Sequence, residues 1–137
     1  MRADLNLTRT DGWRDATDYR RGSGTLRWDR ALGDAAMLKT VLTYSGIDQH
    51  TAGSSAISLD DYQNNPTVNY TPVSFRKVKA ARLSAAYEKE TGNSLLSITP
   101  YIRNNRMEII PSWTVSYDPD YYVTKNQSVG LLSKYRQ

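Results

Sequence analysis

His50 is the one histidine in the chain. It stands in a polar stretch, with no serine, cysteine or carboxylate held beside it by any motif. A nucleophilic triad is recognised by three-dimensional geometry that spacing along a chain does not supply, so His50 is expected to be an exposed loop residue. Asp60-Asp61 and Asp118-Pro119-Asp120 lack the ligand spacing and terminal glutamate of a calcium loop and are expected to be turn residues. Gly22-Ser23-Gly24 has no following lysine or helical pattern that would make it a phosphate cradle; it is expected to ease strand curvature or close packing. Without cysteine there are no disulfides and no thiolate metal sites. These residues imply no catalysis, no metal and no cofactor. Binding chemistry has more material. Tyr101, Arg103, Arg106, Tyr117, Tyr121 and Tyr122 offer charge-assisted hydrogen bonds and stacking surfaces, which suit an anionic, partly aromatic small ligand. The plainer reading is that they solvate a polar surface and decorate loops.

The elements that would carry these groups follow a period of two. Arg2 to Arg9 alternates, with Ala3, Leu5 and Leu7 on one face; Tyr19 to Leu32 places Leu26 and Trp28 opposite Thr25, Arg27 and Asp29. After a minimal turn at Gly33-Asp34, Met37 to Gly46 sets Leu38, Leu42 and Tyr44 against Lys39, Val41, Thr43 and Ser45. Ile47 to Phe75 is then a long polar connection, well beyond the usual length of about 4–6 residues. Arg76 to Lys89 alternates again: Ala81, Leu83, Ala85 and Tyr87 on one side, Arg82, Ser84, Ala86 and Glu88 on the other. Glu90-Thr91-Gly92-Asn93 is rich in tight-turn residues. Ser94 to Asn104 follows, with Leu96, Ile98 and Ile102 outward and Ser97, Thr99, Tyr101 and Arg103 inward. A second long connection, Asn105 to Lys125, precedes a sixth strand, Asn126 to Arg136, in which Val129, Leu131 and Tyr135 share a face. A helix over Ala80 to Glu90 is the alternative for that segment.

Connections therefore run long, short, long, short, long, and the strands exceed the usual length of about 5–6 residues. Short turns at one end and long loops at the other are how an antiparallel barrel sits across a bacterial outer membrane. The fold class expected is all-β, an antiparallel meander of about six strands forming part of a transmembrane β-barrel. Two residues strain this reading. Pro100 must remove a ladder hydrogen bond inside its strand, and Lys79 falls on the apolar side, where only a rim position lets it snorkel to water.

Composition narrows the classes further. No apolar run reaches the roughly 18–20 residues of a membrane helix, while a negative mean hydropathy of −0.64 is compatible with a barrel, whose two faces average out. Ten tyrosines and three tryptophans against one phenylalanine favour rings with a polar tip, which suit a membrane–water boundary and are also common in ordinary strands. The formal charge of +4 is spread among acids and not clustered, so nucleic acid is not an expected partner. Met1 to Asn6 has no apolar core of a secretory signal; a barrel read from this sequence is expected to be a truncated part of a longer reading frame.

The runs Ser74-Phe75-Arg76-Lys77-Val78, Ala85-Ala86-Tyr87-Glu88, Ile98-Thr99-Pro100-Tyr101-Ile102-Arg103 and Arg106-Met107-Glu108, with Asn126-Gln127-Ser128-Val129-Gly130-Leu131, resemble the barrel of TonB-dependent outer-membrane receptors. The resemblance spans roughly residues 19–136. It implies residence in the bacterial outer membrane, contact with its lipid, and uptake of a scarce ligand, a ferric siderophore or another metal chelate, driven through the protein TonB. Such a receptor has a barrel of about twenty-two strands around a plug domain. Residues 1–137 would be a partial barrel domain without the plug, a fragment of a transporter. Arg103, Arg106, Tyr101, Tyr117, Tyr121 and Tyr122 would then face a ferric siderophore near the outer mouth. The rival reading is a soluble or surface-attached all-β binding module with Tyr-rich loops. The outcome turns on whether Leu26, Trp28, Leu38, Leu42, Leu83, Leu96 and Ile98 converge on a buried core or form an exposed band. A β-scaffold hydrolase would need His50 beside both a carboxylate and a nucleophile.

Overall fold

Alternation with a period of two drives the chain into long strands. The computed structural model, which describes residues 1–52, 56–112 and 119–137, arranges them as β1 (Arg2–Thr10), β2 (Tyr19–Ala31), β3 (Ala36–His50), β4 (Phe75–Thr91), β5 (Ser94–Ile110) and β6 (Tyr122–Arg136), with one short helix, α1 (Leu59–Asn64), between β3 and β4. The strands form one antiparallel sheet in chain order. It is a meander, and Ala80 to Glu90 is strand, not helix. Residues 32–35 and 92–93 close the sheet at one end; residues 11–18, 51–74 and 111–121 connect it at the other. β1 and β6 do not pair with each other, so the sheet is open. β1 begins and β6 finishes at the short-turn end.

Several strands run further than their sequence pattern suggests. β3 continues through Ile47 to His50, β5 through Asn105 to Ile110, and β6 starts at Tyr122 and not at Asn126. Residues assigned above to the long connections therefore belong to the sheet, because Ile47 faces Arg21 and Val78, and Met107 faces Val78 and Thr124. The longest extensions lie at the long-loop end; at the turn end β4 gains Glu90 and Thr91, and β3 gains Ala36. At Gly92 a φ of 60° turns the chain without the penalty a side chain would carry. Pro100 keeps its pairing with Leu131, while the ladder to β4 skips from Ser84–Tyr101 to Tyr87–Ile98. The missing N–H accounts for that gap.

Register sorts the side chains into two faces. On one, cross-strand rows such as Ala3–Leu26–Leu42–Leu83–Ile102–Val129 build a continuous apolar band. On β3 to β6 it runs from Leu38 to Tyr44, Ala81 to Tyr87, Leu96 to Ile102 and Val129 to Tyr135, about 20 Å along each strand at the normal rise. The other face is polar. Among the described residues nothing covers the apolar face: Leu42, Leu83, Ile102 and Val129 are 44%, 44%, 52% and 80% exposed, and no apolar side chain of the sheet is buried. The seven residues set as the discriminating group do not meet in a core.

The long loops have an order of their own. Asn69 donates from Nδ2 to the carbonyls of Asp15 (2.9 Å) and Ala16 (3.3 Å), and its Oδ1 accepts from the Thr71 N–H at 2.9 Å. Ser74, fully buried, shares a hydrogen bond with Thr51 Oγ1 (2.7 Å) and donates to the Ile110 carbonyl (2.9 Å). The Asn69 bonds to Asp15 and Ala16 and the Asp15 N–H on the Thr67 carbonyl at 2.8 Å tie segment 11–18 to segment 51–74, and Ser74 ties the latter to β5.

α1 was not expected from the sequence. Ser58 caps it, accepting from the Asp61 N–H at 3.0 Å while its hydroxyl donates to the Asp61 carboxylate at 2.7 Å, as in a capping box. The Tyr70 hydroxyl also donates to that carboxylate. Tyr70 first, and Ser58 second, hold Asp61 below the usual carboxylate range. A depressed folded pKa means that the order this carboxylate supports is complete above the ordinary value and disappears as pH falls through the lowered one. Protection of the α1 amides relative to their intrinsic exchange is therefore expected to fall only on acidification below the ordinary carboxylate range. In Tyr70→Phe the loss of protection is expected to start at higher pH.

Candidate functional site

Of the six candidate binding residues, Tyr101 and Arg103 project from the polar face, in the middle of β5. Tyr101 lies over Gly130 of β6: a Cβ built on Gly130 would sit 2.4 Å from Tyr101 Cζ and 2.5 Å from its hydroxyl. The other stacking partner of this ring is Arg82, whose guanidinium carbon lies 5.0 Å from the ring centroid. Arg103 stands directly across from Arg82. With the Asn105 amide oriented to satisfy both of its ends, its oxygen accepts from Arg103 Nε and Nη2 at 3.1 Å. Arg82, Tyr101, Arg103 and Gly130 thus form one polar cluster. Arg82 and Gly130 were not singled out in the sequence; the cross-strand register brings them in.

The remaining candidates lie elsewhere. Because β5 is longer than the pattern suggested, parity continues past Arg103 and puts Arg106 on the opposite, apolar-band face, where it pairs with Glu108 at 2.8 Å. The expectation that Arg106 points inward with Arg103 is corrected by that parity. Tyr121 donates to the same Glu108 at 2.8 Å, and this bond lifts the phenol above its ordinary pKa. Tyr122, opposite Ile109, donates to Asp120 at 2.9 Å. Tyr117 lies outside the described residues. The five described candidates therefore divide between two faces and do not converge on one pocket.

Charge on the polar face is matched on the turn side. Lys39 pairs with Glu88 at 2.6 Å, Arg27 with Asp29 at 2.8 Å and Arg2 with Asp4 at 3.0 Å. Towards the loops stand Arg21, Arg76, Arg82 and Arg103, none in an ion pair among the described residues. These arginines leave the loop-side part of the polar face cationic.

His50 does gain a carboxylate: its Nδ1 is 2.7 Å from Asp18 Oδ1, and its ring meets Phe75 edge-on at 6.5 Å. The nearby hydroxyls of Thr51 and Ser74 bond each other and not the imidazole. This arrangement fastens the β1–β2 loop to the end of β3, where the His50 N–H also donates to the Asp18 carbonyl at 2.9 Å.

Gly130 carries a direct test of the polar cluster. Gly130→Ala is expected to push Tyr101 off its seat, break the Arg82 stack and destabilise the sheet by about 1–2 kcal/mol. Adding Tyr101→Ala should recover most of that loss. A double-mutant cycle read by denaturant unfolding checks it, and additive losses would refute the contact.

Compared with known proteins, the chain matches no family model, no curated protein and no solved structure, so its likeness to TonB-dependent receptors rests on the residue runs quoted above.

Proposed function

We propose that this sheet is part of the wall of a bacterial outer-membrane β-barrel of the TonB-dependent receptor type, and that the complete receptor takes up a metal chelate, a ferric siderophore foremost. The observation that carries the reading is the exposed apolar band, in register across the sheet and about 20 Å long along its strands, with a polar face behind it, the apolar-out and polar-in alternation of such barrels. Strands that overshoot the band mostly at the long-loop end fit a wall whose outer mouth rises above the lipid. Six strands with two free edges leave orphan N–H and C=O groups, each costing several kcal/mol in hydrocarbon. The segment therefore works inside a larger closed barrel, around a plug and coupled to TonB. Arg82, Tyr101 and Arg103 supply the polar surface that an anionic, partly aromatic chelate would meet on its way in.

A self-contained binding module would need its apolar face covered, and among the described residues nothing covers it. The test is transport. Expressed in the reading frame that carries it, in a host lacking its own receptors, the segment is expected to support growth on a ferric siderophore as sole iron source and to lose that support when TonB is deleted. Growth indifferent to TonB would refute the assignment.

A further inference from the structure

The geometry points to a second binding surface, on the apolar face: a strip of cations at the loop-side border of the band that takes the phosphate head groups of anionic lipid. This inference rests on the barrel reading and adds a partner to it.

Lys79, Arg106 and Lys125 occupy one cross-strand row on β4, β5 and β6, with neighbouring Cβ atoms about 5 Å apart. In the next row towards the loops stand Arg9, Arg20 and Lys77. Against these six cations the two rows hold only Asp48 and Glu108. Asp48 is taken by Lys77 at 3.3 Å, and Glu108 by Arg106 and Tyr121. Arg9 reaches Asp11 at 3.4 Å; Arg20, Lys79 and Lys125 have no ion pair among the described residues.

Like charges directly opposite each other destabilise a sheet, so a counter-charge from outside the chain has to balance this row. Its position identifies the source. One pleat below lie Ala81, Asn104 and Gln127, and below them Leu83, Ile102 and Val129 of the apolar band. A ligand satisfying both levels carries an anionic head above hydrocarbon, which describes a lipid phosphate. Free phosphate has no use for the apolar floor, and an acidic soluble protein would have to displace lipid to reach it. The long stems of lysine and arginine extend from such a border to the head-group level.

The complete barrel that carries this segment, with every tryptophan except Trp28 replaced by phenylalanine (Trp13→Phe and Trp113→Phe within the segment), is diluted from urea into vesicles of phosphatidylcholine alone or with phosphatidic acid added. Quenching of Trp28 by brominated acyl chains in the neutral vesicles reports insertion of the band. Partition into the anionic vesicles is expected to be stronger, by about fivefold for each engaged cation. Lys79→Gln, Arg106→Gln and Lys125→Gln together should abolish most of that preference and leave neutral-vesicle quenching unchanged. A control with the same charge loss on the polar face, Arg21→Gln, Arg82→Gln and Arg103→Gln, should keep it. Intact quenching with no head-group preference, equal losses in both triple variants, or full competition by millimolar inorganic phosphate would each overturn the inference while leaving the wall reading in place. Absence of Trp28 quenching in any vesicle would overturn both.

Discussion

Leu83→Arg is expected to cost the inserted sheet about 2–4 kcal/mol, the penalty of placing a guanidinium on the lipid face near the bilayer middle. Leu83 lies within the apolar band, between Leu42 and Ile102, with no group of opposite charge in its row. Ser97→Arg on the polar face provides the contrast. Ser97 faces Glu88 on one side and Lys134 on the other, and the exchange should move stability by no more than about 0.5 kcal/mol. Urea unfolding of the complete barrel in phosphatidylcholine vesicles separates the two: the midpoint of Leu83→Arg falls at unchanged slope and that of Ser97→Arg stays. Equal, small effects would mean that the band faces water, and the membrane reading would fail with it.

Asn69→Ala is expected to be the most damaging single change in the loops, at about 1–3 kcal/mol of local stability. The side chain is buried, and its amide supports two consecutive carbonyls, Asp15 and Ala16, the latter at a positive φ of 50° that alanine rarely adopts. Truncation leaves those acceptors and the Thr71 N–H without their partner. Asn69→Asp keeps the size but turns an acceptor towards the two carbonyls, so it should be no better than alanine. Proteolytic nicking within residues 11–18 reads the result, since a freed loop is cut faster. Nicking at the wild-type rate in both variants would show that the loop is held by other means.

Much of the sheet was legible in the sequence because the band is the region where alternation is strongest. Leu83, Leu96, Ile98 and Ile102 fixed a face, and the short turn at Gly92 fixed its partner. The overshooting ends were hidden for a physical reason. Above the band both faces meet water, so Asn104, Asn105 and Arg106 show no contrast between sides and look like turn residues. That lost contrast also put Arg106 on the wrong face, and it concealed the meeting of Arg82, Tyr101 and Gly130, which depends on cross-strand register and not on nearness in the chain. α1 did leave a signal: Ser58 followed three residues later by Asp61 is a capping pattern at the head of a short helix. Asn69 left none, since its partners are backbone carbonyls more than fifty positions away.

β1 starts and β6 finishes at the edge of the sheet where the tight turns lie. The meander is thus an even count of up-and-down passes, and inserting or deleting one adjacent pair leaves the sidedness of every other strand intact. A wall built this way can change girth by duplication of hairpin units without inverting which loops greet the outside, so circumference is free to vary while polarity is inherited.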